Sequence, residues 1–298
     1  MEPDYRQALR YALGERRLWA AGLLAALTLS EAWWVIYGWG PEYLGERWKG
    51  AFAGRLGDAG SLAVFLAVAL AAFVVLKATG YLGEMVLIRQ VAQGVRSEMP
   101  WFTEAFSASR GRYIHLAAAL LPRDALRALL IYLPVPLLAL WNRWDPRLDH
   151  LLLYVALFAA WFALLAAADF LVGVTAALAA RGALLERQGM REAWRRGWSL
   201  LRRHAVRCLA AWLQVLAADL AFLVLAWPLS ALVPWGAGMA SGLLRAAPLR
   251  WLVHGAAYAV LAAFLVGGQT AVQCYRSSLW TLTYIRLEET GDNPPTRR

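Results

Sequence analysis

The chain has 298 residues, 60% hydrophobic and only 17% charged, with a net charge of +10 and a mean hydropathy of +0.47. A soluble globule carries about 25% charged residues, so an ordinary soluble domain is excluded. The apolar residues form non-alternating blocks long enough to cross a bilayer, which takes about 20 residues as a helix; this excludes a transmembrane β-barrel and predicts a polytopic all-α bundle.

The opening, MEPDYRQALRYALGERR, holds Glu2, Asp4 and Glu15, and Ser30-Glu31-Ala32 is a poor cleavage site. It makes a weak signal peptide, so the apolar run from about Leu18 to Trp39 is predicted as a retained first span. Five more spans follow, at about Ser61–Gly80, Ala117–Trp141, Leu151–Ala180, Val206–Trp235 and Trp251–Ser277, the last continuing as helix to Glu288. Residues 1–288 then form one membrane domain, and the polar tail 289–298, with two prolines, is predicted to be disordered.

Charge sets the predicted orientation. Only Lys49 and Lys77 are lysines, and 23 of the 30 Lys and Arg fall on the side that carries both termini. The positive-inside rule puts that side, and both termini, in the cytoplasm. Sixteen Trp also suit a chain with two membrane interfaces. The basic balance is therefore a topology signal, and no nucleic-acid partner is predicted.

One polar phrase is written twice. FTEAFSASR, Phe102–Arg110, and WRRGWSLLR, Trp194–Arg202, both read aromatic-x3-aromatic-Ser-x2-Arg or close to it, each just before a predicted span. At the same offset Arg89 aligns with Arg181, Ile114 with Val206, Ala118 with Ala210 and Leu121 with Leu213. An internal duplication of about 61–141 and 151–235 is expected, with convergent interfacial chemistry as the alternative. As a helix, the second copy puts Met190, Trp194, Trp198, Leu201 and Ala205 on one stripe, with Arg195, Arg196, Ser199, Arg202 and Arg203 opposite. The first puts Phe102, Phe106, Ser109 and Tyr113 together, with Arg110 and Arg112 off the stripe, and Gly94 and Pro100 mark its entry. Such helices suit a membrane surface. Phe102, Phe106, Trp194 and Trp198 are the predicted interfacial anchors. Arg110, Arg112, Arg195, Arg196, Arg202 and Arg203 are the predicted lipid-phosphate ligands, at about 1 kcal/mol each beside an anionic leaflet. Plain anchoring is the alternative role.

The stretch Ala183–Leu213 resembles a recurring segment of a six-helix bacterial family, the membrane domain fused to some glycerophosphodiester phosphodiesterases and its stand-alone relatives. Glu192-Ala193, Trp198-Ser199-Leu200 and Arg202 carry the likeness, with Ser and Trp in reversed order, and Tyr284, Arg286 and Leu287 resemble its closing segment. The resemblance implies the six-helix fold. Most stand-alone relatives have no assigned activity, so it implies no reaction.

Charged groups within a span are functional candidates. Glu31, Asp169, Asp219 and Arg276, with the neutral polar Gln214, Gln269 and Gln273, are the intramembrane polar candidates, and Arg276, Arg207 or Arg127 are possible partners of the aspartates. They are either polar contacts between helices or the lining of a proton, ion or lipid path. His115, His150, His204 and His254 are not spaced for a metal, and a lone pigment or haem ligand is best placed at His254. Cys208 and Cys274 read as apolar packing residues. Asp145 and Asp149 fall in an outer turn, and GAGMASG, Gly236–Gly242, lacks the lysine of a phosphate loop. No cofactor is predicted.

The leading functional expectation is a non-enzymatic membrane scaffold or accessory subunit that engages anionic lipid at the inner leaflet. A transporter or lipid-translocating protein using Asp169 and Asp219, and a membrane enzyme of lipid metabolism, are the alternatives.

Overall fold

The structure is a computed structural model that describes residues 4–26, 59–132, 151–244 and 246–291. All its regular elements are helical: α1 (Asp4–Gly14), α2 (Arg16–Ala26), α3 (Ala59–Gly94), α4 (Phe102–Ser109), α5 (Tyr113–Tyr132), α6 (Leu151–Ala168), α7 (Val174–Leu185), α8 (Met190–Arg203), α9 (Ala205–Gly242) and α10 (Ala247–Gly291). A 3₁₀ turn, Arg110–Arg112, joins α4 to α5, and a π-helical turn, Asp169–Gly173, joins α6 to α7. Among the described residues, three stretches are long and apolar enough to cross a membrane: Ala159–Leu185, Ala205–Gly242 and Pro248–Thr290. Glu31, most of the first predicted span, the end of the third and the tail beyond Gly291 lie outside the described residues.

The chain divides into two compact units, Met1–Phe106 with Gln214–Leu279, and Ser107–Leu213 with Trp280–Arg298. In the first, α2 packs along α3 through small residues. A Cβ on Gly83 would lie 2.3 Å from the Ala25 backbone nitrogen and 2.6 Å from the Ala21 carbonyl, so the helices meet almost backbone to backbone. Small residues permit this close approach, and dispersion between the two backbones then holds the helices together. Gln90, fully buried on α3, donates to the Arg17 carbonyl at 3.1 Å and the Pro100 carbonyl at 3.0 Å, pinning the start of α2 and the entry to α4. On α9 and α10, Ala226, Leu261 and Leu265 make a small core with Phe222, Leu229 and Val233. Gly268 leaves the room that the Phe222 ring takes.

In the second unit α7 is the centre. Every residue from Val174 to Leu184 is buried, and α5 and α8 both pack on it. The face of α8 that meets α7 is Ala193, Gly197, Leu200 and Leu201. A Cβ on Gly197 would sit 2.9 Å from the Thr175 carbonyl, so this is again a small-residue contact. Arg187, with φ 57°, turns the chain from α7 into α8.

Several predicted boundaries move outward. The second span was expected to end at Gly80, yet α3 runs to Gly94, because Met85, Val86, Leu87, Ile88 and Val91 are fully buried and extend its apolar course past Lys77 and Glu84. The fourth continues past Ala180 to Leu185 and carries Arg181 inside it, 1% exposed, with its guanidinium donating to the Ala177 carbonyl at 3.0 Å. Helix α10 continues beyond Ser277 through Glu288, as expected. Helix α1 was not anticipated; its buried residues are Ala8 and Ala12 alone.

Candidate functional site

Two of the three apolar stretches found among the described residues carry an aspartate closed by an arginine. In the second unit, Asp169 begins the π-helical turn. Its Oδ1 accepts from Arg127 Nε at 2.6 Å, and its Oδ2 accepts from the Trp212 indole N–H at 3.0 Å. The turn widens the helix locally, and a Cβ on Gly173 would lie 2.9 Å from Asp169 Oδ1, so glycine leaves space for the carboxylate. The Phe170 ring meets Trp212 edge-on at 5.7 Å. On α5, Arg123 pairs with Asp124 at 2.9 Å, one turn before Arg127 and just after Pro122. In the first unit, Arg276 on α10 donates to Asp219 on α9. One residue on, Ser277 donates to Glu84 of α3 at 3.2 Å. Gln269 and Gln273 are buried on the same helix, and Gln214 is half-buried on α9.

A third cluster ties the α7–α8 turn to the end of α10. Arg196 makes a two-pronged contact with Glu288, its Nε donating to Oε1 at 2.9 Å, and lies 3.4 Å from Glu186. Tyr284 donates to Glu186, and so does Gln188, at 2.7 Å. Gly182 admits both partners: a Cβ there would be 2.9 Å from Gln188 Oε1 and 3.3 Å from the Tyr284 hydroxyl. The hydrogen bond from Arg196 to the Glu288 carboxylate, reinforced by Glu186, holds the guanidinium charged well above its ordinary range. Arg196 thus faces inward onto carboxylates. The sequence placed it among the lipid ligands because both acids are remote from it along the chain or across a turn.

The remaining predicted lipid ligands face outward. Arg195, Arg202 and Arg203 are exposed, as is Arg191, and among the described residues none of them has a carboxylate partner. Trp198 is 43% exposed on the same side, and Trp194 is half-buried. The stripe of Met190, Trp194 and Trp198 therefore flanks the α7 contact instead of forming it, since only small residues fit against the Thr175 and Ala179 backbone. In the first elbow, Phe102 and Phe106 are half-buried with rings stacked at 6.3 Å, Ala105 and Ser109 are buried, Arg110 is exposed and Arg112 half-buried. Burial pushes the Tyr113 phenol above its ordinary range. Arg17 lies over the exposed Trp101 ring at 4.7 Å and donates to the Met99 carbonyl.

His254 lies 3.0 Å from the Ser241 hydroxyl, which donates to the Gly238 carbonyl at 2.9 Å. Among the described residues no carboxylate orients this histidine as the third group of a nucleophilic triad would. Among them, too, no group of three or more His, Cys, Asp or Glu gathers as metal ligands would. Cys208 and Cys274 are buried free thiols. No family model, no curated protein and no solved structure matches the chain.

Proposed function

We propose that this chain is a six-span membrane protein, built by internal duplication, that acts without chemistry of its own as a scaffold or accessory subunit and grips anionic lipid at the inner leaflet through its two basic elbows. One observation carries the reading: each elbow presents an exposed arginine and then, one turn on, an almost fully exposed aliphatic side chain. Arg110 is followed by Ile114, 77% exposed, and Arg202 by Val206, 81% exposed. A cation beside bare hydrocarbon fits the boundary between phosphates and acyl chains.

The duplication is supported by burial as well as by letters. At the offset that aligns Phe102 with Trp194, buried Ala105, Ser109, Leu116 and Ala119 fall on buried Gly197, Leu201, Cys208 and Ala211. The transport alternative is disfavoured by Asp169 and Asp219 each being closed by its own arginine, which suits contacts between helices.

Native mass spectrometry of the protein, gently extracted from its own membrane, tests the role. Co-extracted subunits together with anionic phospholipid are expected. A lone chain that turns over a phosphodiester lipid would contradict the proposal.

A further inference from the structure

Helix α8 sorts its arginines. Arg196 turns inward onto Glu186 and Glu288. Arg191, Arg195 and Arg202 are exposed and, among the described residues, have no carboxylate partner. At 3.6 residues per turn, these three and Trp198 fall within one arc about 60° wide, as a single row along the helix. At 1.5 Å per residue, Arg191 and Arg195 stand about 6 Å apart along the axis, and Arg202 about 10 Å further on. Trp198 sits between Arg195 and Arg202, so the row has two cationic ends with an exposed indole between them. The first elbow has no such row: at the positions aligned with Arg191 and Arg195 it carries Met99 and Thr103, and Glu104 lies beside them.

From this we infer that the α8 row is a site for a lipid with two phosphates bridged by one glycerol, such as cardiolipin, one phosphate at Arg191 and Arg195, the other at Arg202, and the bridge against Trp198. Arginine suits this because its planar fork meets a phosphate with two parallel hydrogen bonds. The inference rests on the proposed role of the elbows and narrows it to one elbow and one headgroup class. Two single-phosphate lipids would each have to be recruited separately, whereas the second phosphate of a bridged pair is delivered by the first at high effective concentration.

The test uses the full chain in nanodiscs of neutral lipid, doped with cardiolipin or with phosphatidylglycerol at equal phosphate, with lipid retention read by native mass spectrometry. Cardiolipin is expected to be retained preferentially and not displaced by charge-matched phosphatidylglycerol. Arg195→Gln combined with Arg202→Gln is expected to cut cardiolipin retention about 25-fold, about fivefold for each arginine. Arg110→Gln combined with Arg112→Gln is expected to lower retention of both anionic lipids alike and to leave the preference for cardiolipin over phosphatidylglycerol unchanged, and circular dichroism should show the same helix content in all. Equal retention of the two anionic lipids per phosphate would overturn the two-phosphate inference and leave the anionic-lipid role standing. No preference for either over neutral lipid would overturn both.

Discussion

At the scale of single residues, a short list of side chains holds the units together. Among the described residues, removing Arg127 leaves the Asp169 carboxylate with the Trp212 N–H of α9 as its side-chain hydrogen-bond donor. Breaking a buried pair from one side costs about 3–5 kcal/mol, while replacing both partners with apolar residues can be near neutral. This pair is part-buried, its side chains 28% and 18% exposed, so Arg127→Leu is expected to destabilise the protein by about 1–3 kcal/mol, and Arg127→Leu with Asp169→Leu by clearly less, as measured by unfolding in mixed micelles. Equal losses would mean that the pair contributes only through its individual side chains. The glycine contacts give a second prediction. Gly83→Val must push α2 off α3, because the intruding atom would meet backbone at 2.3 Å and not a movable side chain. A loss of about 1–3 kcal/mol or more is expected. Gly14→Val, where nothing lies within 4 Å, is the control and should change stability by no more than about 0.5 kcal/mol, since valine has the higher helix propensity of the two.

At the scale of elements, the α7–α8 turn and the end of α10 behave as one joint. Arg196→Gln removes the two-pronged contact with Glu288 and the approach to Glu186. Amide protons from Tyr284 to Glu288 are then expected to lose hydrogen-exchange protection while those of Val174–Leu184 keep theirs; unchanged exchange at both would contradict the joint. This scale also shows what the sequence could and could not reveal. Long apolar runs announce helices, and an acid inside one implies a cation nearby, so Asp169 with Arg127 and Asp219 with Arg276 were among the pairs that could be written down from the letters alone. The burial of Ala193 and Gly197 was masked by the larger residues beside them, because a reading of periodicity weights Trp194 and Trp198 most. The π-helical turn at Asp169 leaves no mark in composition, since one extra residue in a turn changes no residue type. The contact of Arg196 with Glu288 was not legible for a different reason: Glu288 is brought to it by tertiary folding.

At the scale of the whole molecule, the account stands on the number of crossings. The three apolar stretches found among the described residues lie in the second half of the chain, and the six-span reading needs the first predicted span, α3 and α5 to cross as well. If α5 and the stretch through α7 both cross, the two elbows share one face of the membrane. If α5 does not cross, they lie on opposite faces. The most direct test introduces a single cysteine at Arg110 or at Arg195, both exposed, in a chain whose own Cys208 and Cys274 are buried. A membrane-impermeant maleimide is then applied to intact cells and to inside-out vesicles. Labelling of both positions only in inside-out vesicles is predicted. Labelling of one position from each side would contradict the six-span, two-elbow account.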